Sequence, residues 1–249
     1  MGKDVIIACD FASTDETVRF LDKFNKIREG IVACDDISVR ASRPYVKIGM
    51  ELFYAEGPQI IKILKERGHN VFLDLKLHDI PNTVGKAMQV IGGYGVDMVN
   101  VHAAGSIEMM KAAKHGLMLG AIRYAEKPKL IAVTQLTSID EEALRKELLI
   151  DMPMDKVVAQ YALNAKAAGL DGVVCSAHEA ATIHQLCGED FLTVTPGIRL
   201  EGDAVGDQKR IMTPVEAKKA GSDYIVVGRS ITASDKAVDV YRKACEDFK

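Results

Sequence analysis

The chain contains no Cys-x-x-Cys pair. Its five cysteines, Cys9, Cys34, Cys175, Cys187 and Cys245, are odd in number and widely scattered. That pattern argues against a zinc centre or a disulfide framework. The cysteines read instead as reduced residues of a cytoplasmic protein, with Cys9 and Cys175 as small strand hydrophobes. Long apolar runs are missing too. The first, residues 5–9, is interrupted by Asp10 and is too short for a secretory signal. No stretch approaches the ~20 apolar residues of a membrane span. Neither sign of charge prevails: 32 Lys+Arg stand against 35 Asp+Glu, a formal net charge of −3. Such a balance argues against a nonspecific nucleic-acid binder. The expectation is a protein that engages neither nucleic acid nor membrane and binds no metal.

What is present is enough apolar residue for a large core. Of 249 residues, 48% are hydrophobic. A chain of this length can bury about 70–75% of the surface its unfolded form exposes. No low-complexity segment or Pro/Ser-rich linker divides it, so one domain over residues 1–249 is expected. A single phrase recurs: Gly, one residue, Asp or Asn, then an apolar run. It occurs as Gly68-His69-Asn70, Gly95-Val96-Asp97, Gly169-Leu170-Asp171, Gly188-Glu189-Asp190 and Gly221-Ser222-Asp223. The phrase reads as a left-handed glycine closing a helix, then a turn into a strand buried on both faces. Helix starts are marked by Ser13-x-x-Glu16, by a second capping box at Ser138-x-x-Glu141, and by Thr213-Pro214-x-Glu216. Val18, Leu21, Phe24 and Ile27 keep helical spacing, and residues 154–168 and 234–248 also read as helices. Strands are expected near 4–10, 45–50, 71–76, 97–102, 130–136, 171–175, 191–195 and 223–228. Their spacing of about 31 residues is the size of one βα unit. Eight such units predict an α/β protein of the (β/α)8 TIM-barrel type, with a doubly wound open sheet as the alternative.

Polar residues collect at the ends of these strands, where barrel enzymes place their chemistry. They include Asp10, Lys47, Asp74, Lys76, Asn100, His102, Thr134, Thr137, Ser138, Ser176, Thr195 and Arg199. On the third strand, Phe72, Asp74, Lys76 and His78 share one face, and Leu73, Leu75 and Leu77 share the other. The leucine face suits a helix layer, which sends Asp74 and Lys76 into the barrel mouth. With Asp79 they form Asp-x-Lys-x-x-Asp. One reading is a salt bridge closing the core. The other is a lysine held protonated by two carboxylates and ready to donate a proton. Lys47 is either a snorkelling strand-end lysine or part of the same array. Asp10 either caps a turn or joins it. His102 reads as a satisfied strand-end histidine, His115 and His184 as helix-surface residues, and His69 as a turn residue. Toward the end of the chain, Arg199, the polar stretch 201–210 and Gly228-Arg229 suggest an anion site, since glycine admits backbone N–H groups and arginine donates in pairs. The stretch 201–210 is either a plain solvated loop or a lid with Gln208 as an amide donor.

The string Asp74-Leu-Lys-Leu-His-Asp-Ile-Pro-Asn-Thr83 resembles the signature of the orotidine 5′-monophosphate decarboxylases. So do ACDF at 8–11, VKIGMELF at 46–53, NVHAAG at 100–105, VTQLTS at 133–138, DGVVCS at 171–176, VTPGIR at 194–199, DQKRIMTP at 207–214 and VVGRSIT at 226–232. The strings follow the family's order over nearly the whole chain. Cys9 replaces a more usual aliphatic residue, and the connection at 28–43 looks long. The resemblance implies a cofactor-free decarboxylation of orotidine 5′-monophosphate to uridine 5′-monophosphate, the last step of pyrimidine nucleotide synthesis, by a homodimer with shared active sites. It implies Lys76 as proton donor to C6 of the pyrimidine, with Asp74, Asp79 and Lys47 completing the charged array. Asp10 and Lys47 would hold the ribose, and Asp79 and Thr83 would reach the partner's site. Leu75, Leu77, His78, Ile80, Pro81 and Asn82 belong to the same substrate-contacting stretch. Thr137 and Ser138 would face the pyrimidine, and Pro196, Arg199, Gln208, Gly228 and Arg229 would surround the phosphate. Metal-dependent sugar-phosphate enzymes of the same superfamily are the nearest rivals; the Ile80-Pro81-Asn82-Thr83 continuation argues against them. A non-catalytic nucleotide-binding barrel is the rival from another class.

Overall fold

The computed structural model describes residues 2–25, 43–200 and 212–249. Short runs of β-branched and aliphatic residues form eight strands: β1 (Asp4–Ala8), β2 (Tyr45–Gly49), β3 (Val71–Leu77), β4 (Met98–His102), β5 (Lys129–Val133), β6 (Gly172–Val174), β7 (Leu192–Ile198) and β8 (Tyr224–Val227). All neighbours pair in parallel, and β8 returns to β1, so the sheet closes. The open-sheet alternative is thereby excluded. Helices separate the strands and cover the ring, as in a TIM barrel.

Strand alternation splits the core in two. Ile6, Ala8, Tyr45, Phe72, Met98, Ile131, Val194 and Val226 fill the barrel interior. Val5, Ile7, Val46, Ile48, Leu73, Val99 and Val227 point outward and pack beneath the helices. On the helix Thr14–Asn25 the buried stripe is Thr17, Phe20, Leu21 and Phe24. Val18 sits beside that stripe, half-exposed, and Ile27 and Cys34 lie outside the described residues. The predicted helix at 154–168 is found at Met154–Ala167; the one at 234–248 begins later, at Ala237.

Each glycine of the recurring phrase is left-handed, at φ +83, +77, +79, +90 and +89 in chain order. Three of the acidic residues that follow have a second task. Asp97 Oδ2 accepts the Val71 N–H at 2.7 Å and the Lys65 ammonium at 2.6 Å. Asp171 accepts the Leu130 N–H at 2.7 Å and Lys114 at 2.5 Å. Asp223 accepts the Thr193 N–H at 2.9 Å, with His184 Nε2 at 3.4 Å. An aspartate at the start of one strand thus caps the first or second N–H of the preceding strand and meets a basic side chain from the helix before it. His184 is therefore buried, not on the helix surface as its sequence suggests, and its Nε2 also faces the Gly221 carbonyl at 3.0 Å. His69 is likewise buried, with Nδ1 2.9 Å from the Pro44 carbonyl.

One capping expectation is met in full, one in part, since the Glu16 carboxylate accepts the Ala12 N–H and not that of Ser13, and one is corrected. Ser13 accepts the Glu16 N–H, and Thr213 and Glu216 cap each other reciprocally. The helix Glu141–Lys146 is instead capped by Asp140, whose carboxylate accepts the Ala143 N–H at 2.9 Å. Two cap-forming side chains lie within three residues there, and the one next to the first turn takes the role. Glu141 turns away to accept the Met154 N–H. The helices Pro81–Gly92 and Ser106–Gly120 approach so closely that a Cβ on Gly116 would strike the Gly85 carbonyl, and one on Gly120 the Gln89 carbonyl.

Candidate active site

The C-terminal end of the barrel opens into a cavity of 580 Å³. Its floor is Ala8, Phe72, Val174 and Val226, the last inward layer of the strands. Above that floor the inward positions become polar. Asp10 follows β1, Lys47 lies on β2, Asp74 and Lys76 on β3, and Asn100 and His102 on β4.

These groups form one network. Lys76 Nζ lies 2.6 Å from Asp74 Oδ1. Lys47 Nζ lies 3.3 Å from Asp74 Oδ2 and 3.0 Å from Asp10 Oδ1. Asn100 Nδ2 donates to Asp74 Oδ1 at 2.7 Å. Asp74 is buried. Burial alone would raise its pKa, but the charges of Lys47 and Lys76, with hydrogen bonds from Lys76 and Asn100, hold the carboxyl below its ordinary range. Burial opposes the charge on Lys47 as well, and Asp74 and Asp10 outweigh it, raising the lysine above its usual value. His102 is pushed down by burial, then by His78 and Lys76, which favours the neutral ring. Its ring lies 5.7 Å from that of His78.

Lys76 itself is strained. Its φ is +52°, a left-handed conformation uncommon outside glycine, and the β3–β4 register shifts around it. Lys76 thus sits at the bulge with its ammonium on Asp74 inside the cavity.

The far wall holds the second cluster. Arg199 and Arg229 line the cavity, with Pro196, Gly197 and Gly228 beside them. Arg199 is buried, and its Nη1 donates to the Ile198 carbonyl at 3.0 Å. Thr137 and Ser138, with Gln135 and Leu136, line a third side. Gln208 and the stretch 201–210 lie outside the described residues.

The remaining expected site residues divide by orientation. Leu75 and Leu77 pack into the helix layer and away from the cavity, as strand alternation requires. His78, Asp79, Ile80, Pro81, Asn82 and Thr83 are exposed and do not line the cavity of this chain. Asp79 accepts the Ile80 N–H at 2.6 Å. Thr134, Thr195 and Ser176, grouped with the site by their strand-end positions, satisfy backbone groups of Val174, Tyr224 and His178. Sequence reasoning singled out Asn100 without giving it a role. Its signal was an amide at an inward position of a buried strand, two residues before His102.

The family model described as Orotidine 5′-phosphate decarboxylase / HUMPS family matches residues 3–244. An orotidine 5′-phosphate decarboxylase of Shouchella clausii is 52% identical over 249 residues, 100% of this chain and 98% of that protein. That of Enterococcus faecalis is 51% identical over 243 residues, 98% of this chain and 97% of that protein. Among solved structures, the orotidine 5′-phosphate decarboxylase of Lactobacillus acidophilus superposes with a TM-score of 0.80 at 39% identity, over 99% of both chains. The enzyme of Methanocaldococcus jannaschii, solved with the inhibitor BMP, superposes with a TM-score of 0.74 at 19% identity and speaks for the fold alone.

Proposed function

Because this chain belongs to the Orotidine 5′-phosphate decarboxylase / HUMPS family, we propose that it decarboxylates orotidine 5′-monophosphate to uridine 5′-monophosphate and CO2, the last step of de novo pyrimidine nucleotide synthesis. The observation that carries this reading is the cavity's polarity. An ammonium pinned by a carboxylate occupies one side, and two arginines occupy another wall of the same 580 Å³ space. A nucleotide is a molecule with a reacting ring at one end and a phosphate at the other.

In this reading the bond between C6 and the carboxylate carbon breaks, and its electron pair stays on C6. CO2 departs. The Lys76 ammonium stabilises the developing negative charge and then supplies the proton that forms the C6–H bond. Asp74 holds Lys76 in place, and Lys47 and Asp10 hold the ribose. Thr137 and Ser138 face the pyrimidine. Arg199, Gly228, Arg229 and Gln208 take the phosphate, with Pro196 beside them. No step calls for a metal or cofactor. The exposed Asp79 and Thr83 reach the site of a second copy, so the working form is a homodimer, placed in the cytoplasm.

The test is loss of orotidine 5′-monophosphate absorbance by purified protein in EDTA. Steady turnover is expected. No turnover, or turnover only after Mg²⁺ is returned, would sink the proposal in favour of a metal-dependent relative. The phosphate assignment has its own arm. Removing one charge-assisted contact costs about 1.5–3 kcal/mol, so Arg229→Ala should lower kcat/KM for the nucleotide by about 10–100-fold. The same variant should leave a phosphate-free nucleoside substrate unaffected; equal losses on both would refute the assignment.

A further inference from the structure

The bend that places Lys76 has an anatomy of its own. On one side of it Leu73 pairs with Val99, and on the other Leu77 pairs with Val101. Three residues of β3, Asp74, Leu75 and Lys76, therefore stand opposite the single residue Asn100. The main-chain ladder is interrupted there, and the Asn100 side chain completes it. Its Oδ1 accepts the Lys76 N–H at 2.8 Å, and its Nδ2 donates to Asp74 Oδ1 at 2.7 Å. Asn100 is fully buried, so neither bond is traded with water.

We propose that Asn100 is a positioning residue that locks the Asp74–Lys76 pair, one end of its amide fixing the strained lysine backbone and the other orienting the carboxylate. The proposal deepens the decarboxylase reading and rests on it for the kinetic consequence, though not for the structural one. The chemistry requires an amide. A residue at this position must accept from a backbone N–H and donate to a carboxylate at the same time. Asparagine does both at any pH. Oδ1 of Asp74 receives Lys76 and Asn100 together, which leaves Oδ2 for Lys47. Without the amide, the Lys76 N–H loses its partner in a part-buried site, and the left-handed conformation loses the bond that holds its backbone. The strand would relax and draw the ammonium away from the reacting carbon.

Two variants test this. Asn100→Ala should fold, lower kcat by about 10²-fold, the scale of an ångström-sized misplacement, and change KM by less than about threefold, since the phosphate wall is untouched. Asn100→Asp is the sharper probe. As a carboxylate it repels Asp74; once protonated it is nearly isosteric with asparagine and can donate and accept again. Its kcat should therefore recover at least about tenfold as pH is lowered until the two carboxylates share a proton. The parent and Asn100→Ala should show no such recovery. The other ionisable groups near the pair, Asp10, Lys47, Lys76, His78 and His102, are common to all three proteins. A kcat within threefold of the parent for Asn100→Ala, or parallel pH profiles for the two variants, overturns the proposal. A crystal structure of Asn100→Ala decides the structural half without reference to any substrate. Lys76 should leave the left-handed region and its ammonium should part from Asp74. An unchanged Lys76 in the folded variant overturns the proposal even if the parent is an active decarboxylase. A displaced Lys76 in a protein that never turns over the nucleotide would sink the reaction and leave the positioning role standing.

Discussion

The two ends of the barrel use the same residue types to opposite purposes. At the N-terminal end, Asp97 and Asp171 meet lysines and Asp223 meets His184, and each carboxylate also accepts a strand N–H. These groups are consumed by the backbone they cap. At the C-terminal end, Asp10, Lys47, Asp74 and Lys76 also pair, but they satisfy one another, with the Asn100 amide, instead of capping a strand N–H. An ion pair by itself does not mark a functional site. What distinguishes the mouth is that its charges are held without being used up by main chain.

The contrast is sharpened first by exchanging the losses at the two ends. Lys76→Ala should abolish most turnover, by about 10⁴-fold if the lysine serves as general acid, while the thermal midpoint changes little. Survival of activity would show that Lys76 is not the proton donor and would erase the distinction from the mouth side. Asp97→Ala should do the reverse. It strands the Val71 N–H and the Lys65 ammonium, at about 1–3 kcal/mol, read as a lower urea midpoint. Activity per folded molecule should be unchanged. A large loss of kcat in a folded Asp97→Ala protein would mean that the two ends are coupled.

The smallest expected effect is on pH dependence. Asp74 has a folded pKa below its ordinary value of 3.8. It therefore contributes stability above that value, and the contribution is lost as pH falls through it toward the lower folded pKa. Acid unfolding of the parent should accordingly be steeper below about pH 4 than that of Asp74→Asn. Equal slopes would show that the mouth network does not hold Asp74 ionised.

Much of this division was legible before the structure. The eight strands, the glycine turns and the polar strand ends follow from local pattern, because strand alternation and helix capping act over a few residues. What was hidden depends on which residues lie opposite one another. The Gly-x-Asp phrase was visible, yet the use of its carboxylate depends on parallel register with a neighbour some 26 to 41 positions away. The role of Asn100 required knowing that β3 bulges against β4. His184 was readable in principle. It shares the face of Ala180, Ile183 and Cys187, all buried, and its polarity drew it to the surface in error. The cap at Asp140 was missed because Ser138 satisfied the same pattern two residues earlier. Leu75 and Leu77 were included with the substrate contacts by resemblance, although alternation alone had already turned them toward the helices.

The glycine-mediated contact between Pro81–Gly92 and Ser106–Gly120 bears on association. At Gly92, Gly116 and Gly120 there is no room between these helices for a methyl group, so the first helix is held closely against the second. Its exposed beginning, Pro81, Asn82 and Thr83, is thereby set in place when the chain folds. The conformational entropy of that segment is spent before any encounter. A second copy docking there would meet a preorganised face, and its binding would have to offset mainly the loss of translational and rotational freedom.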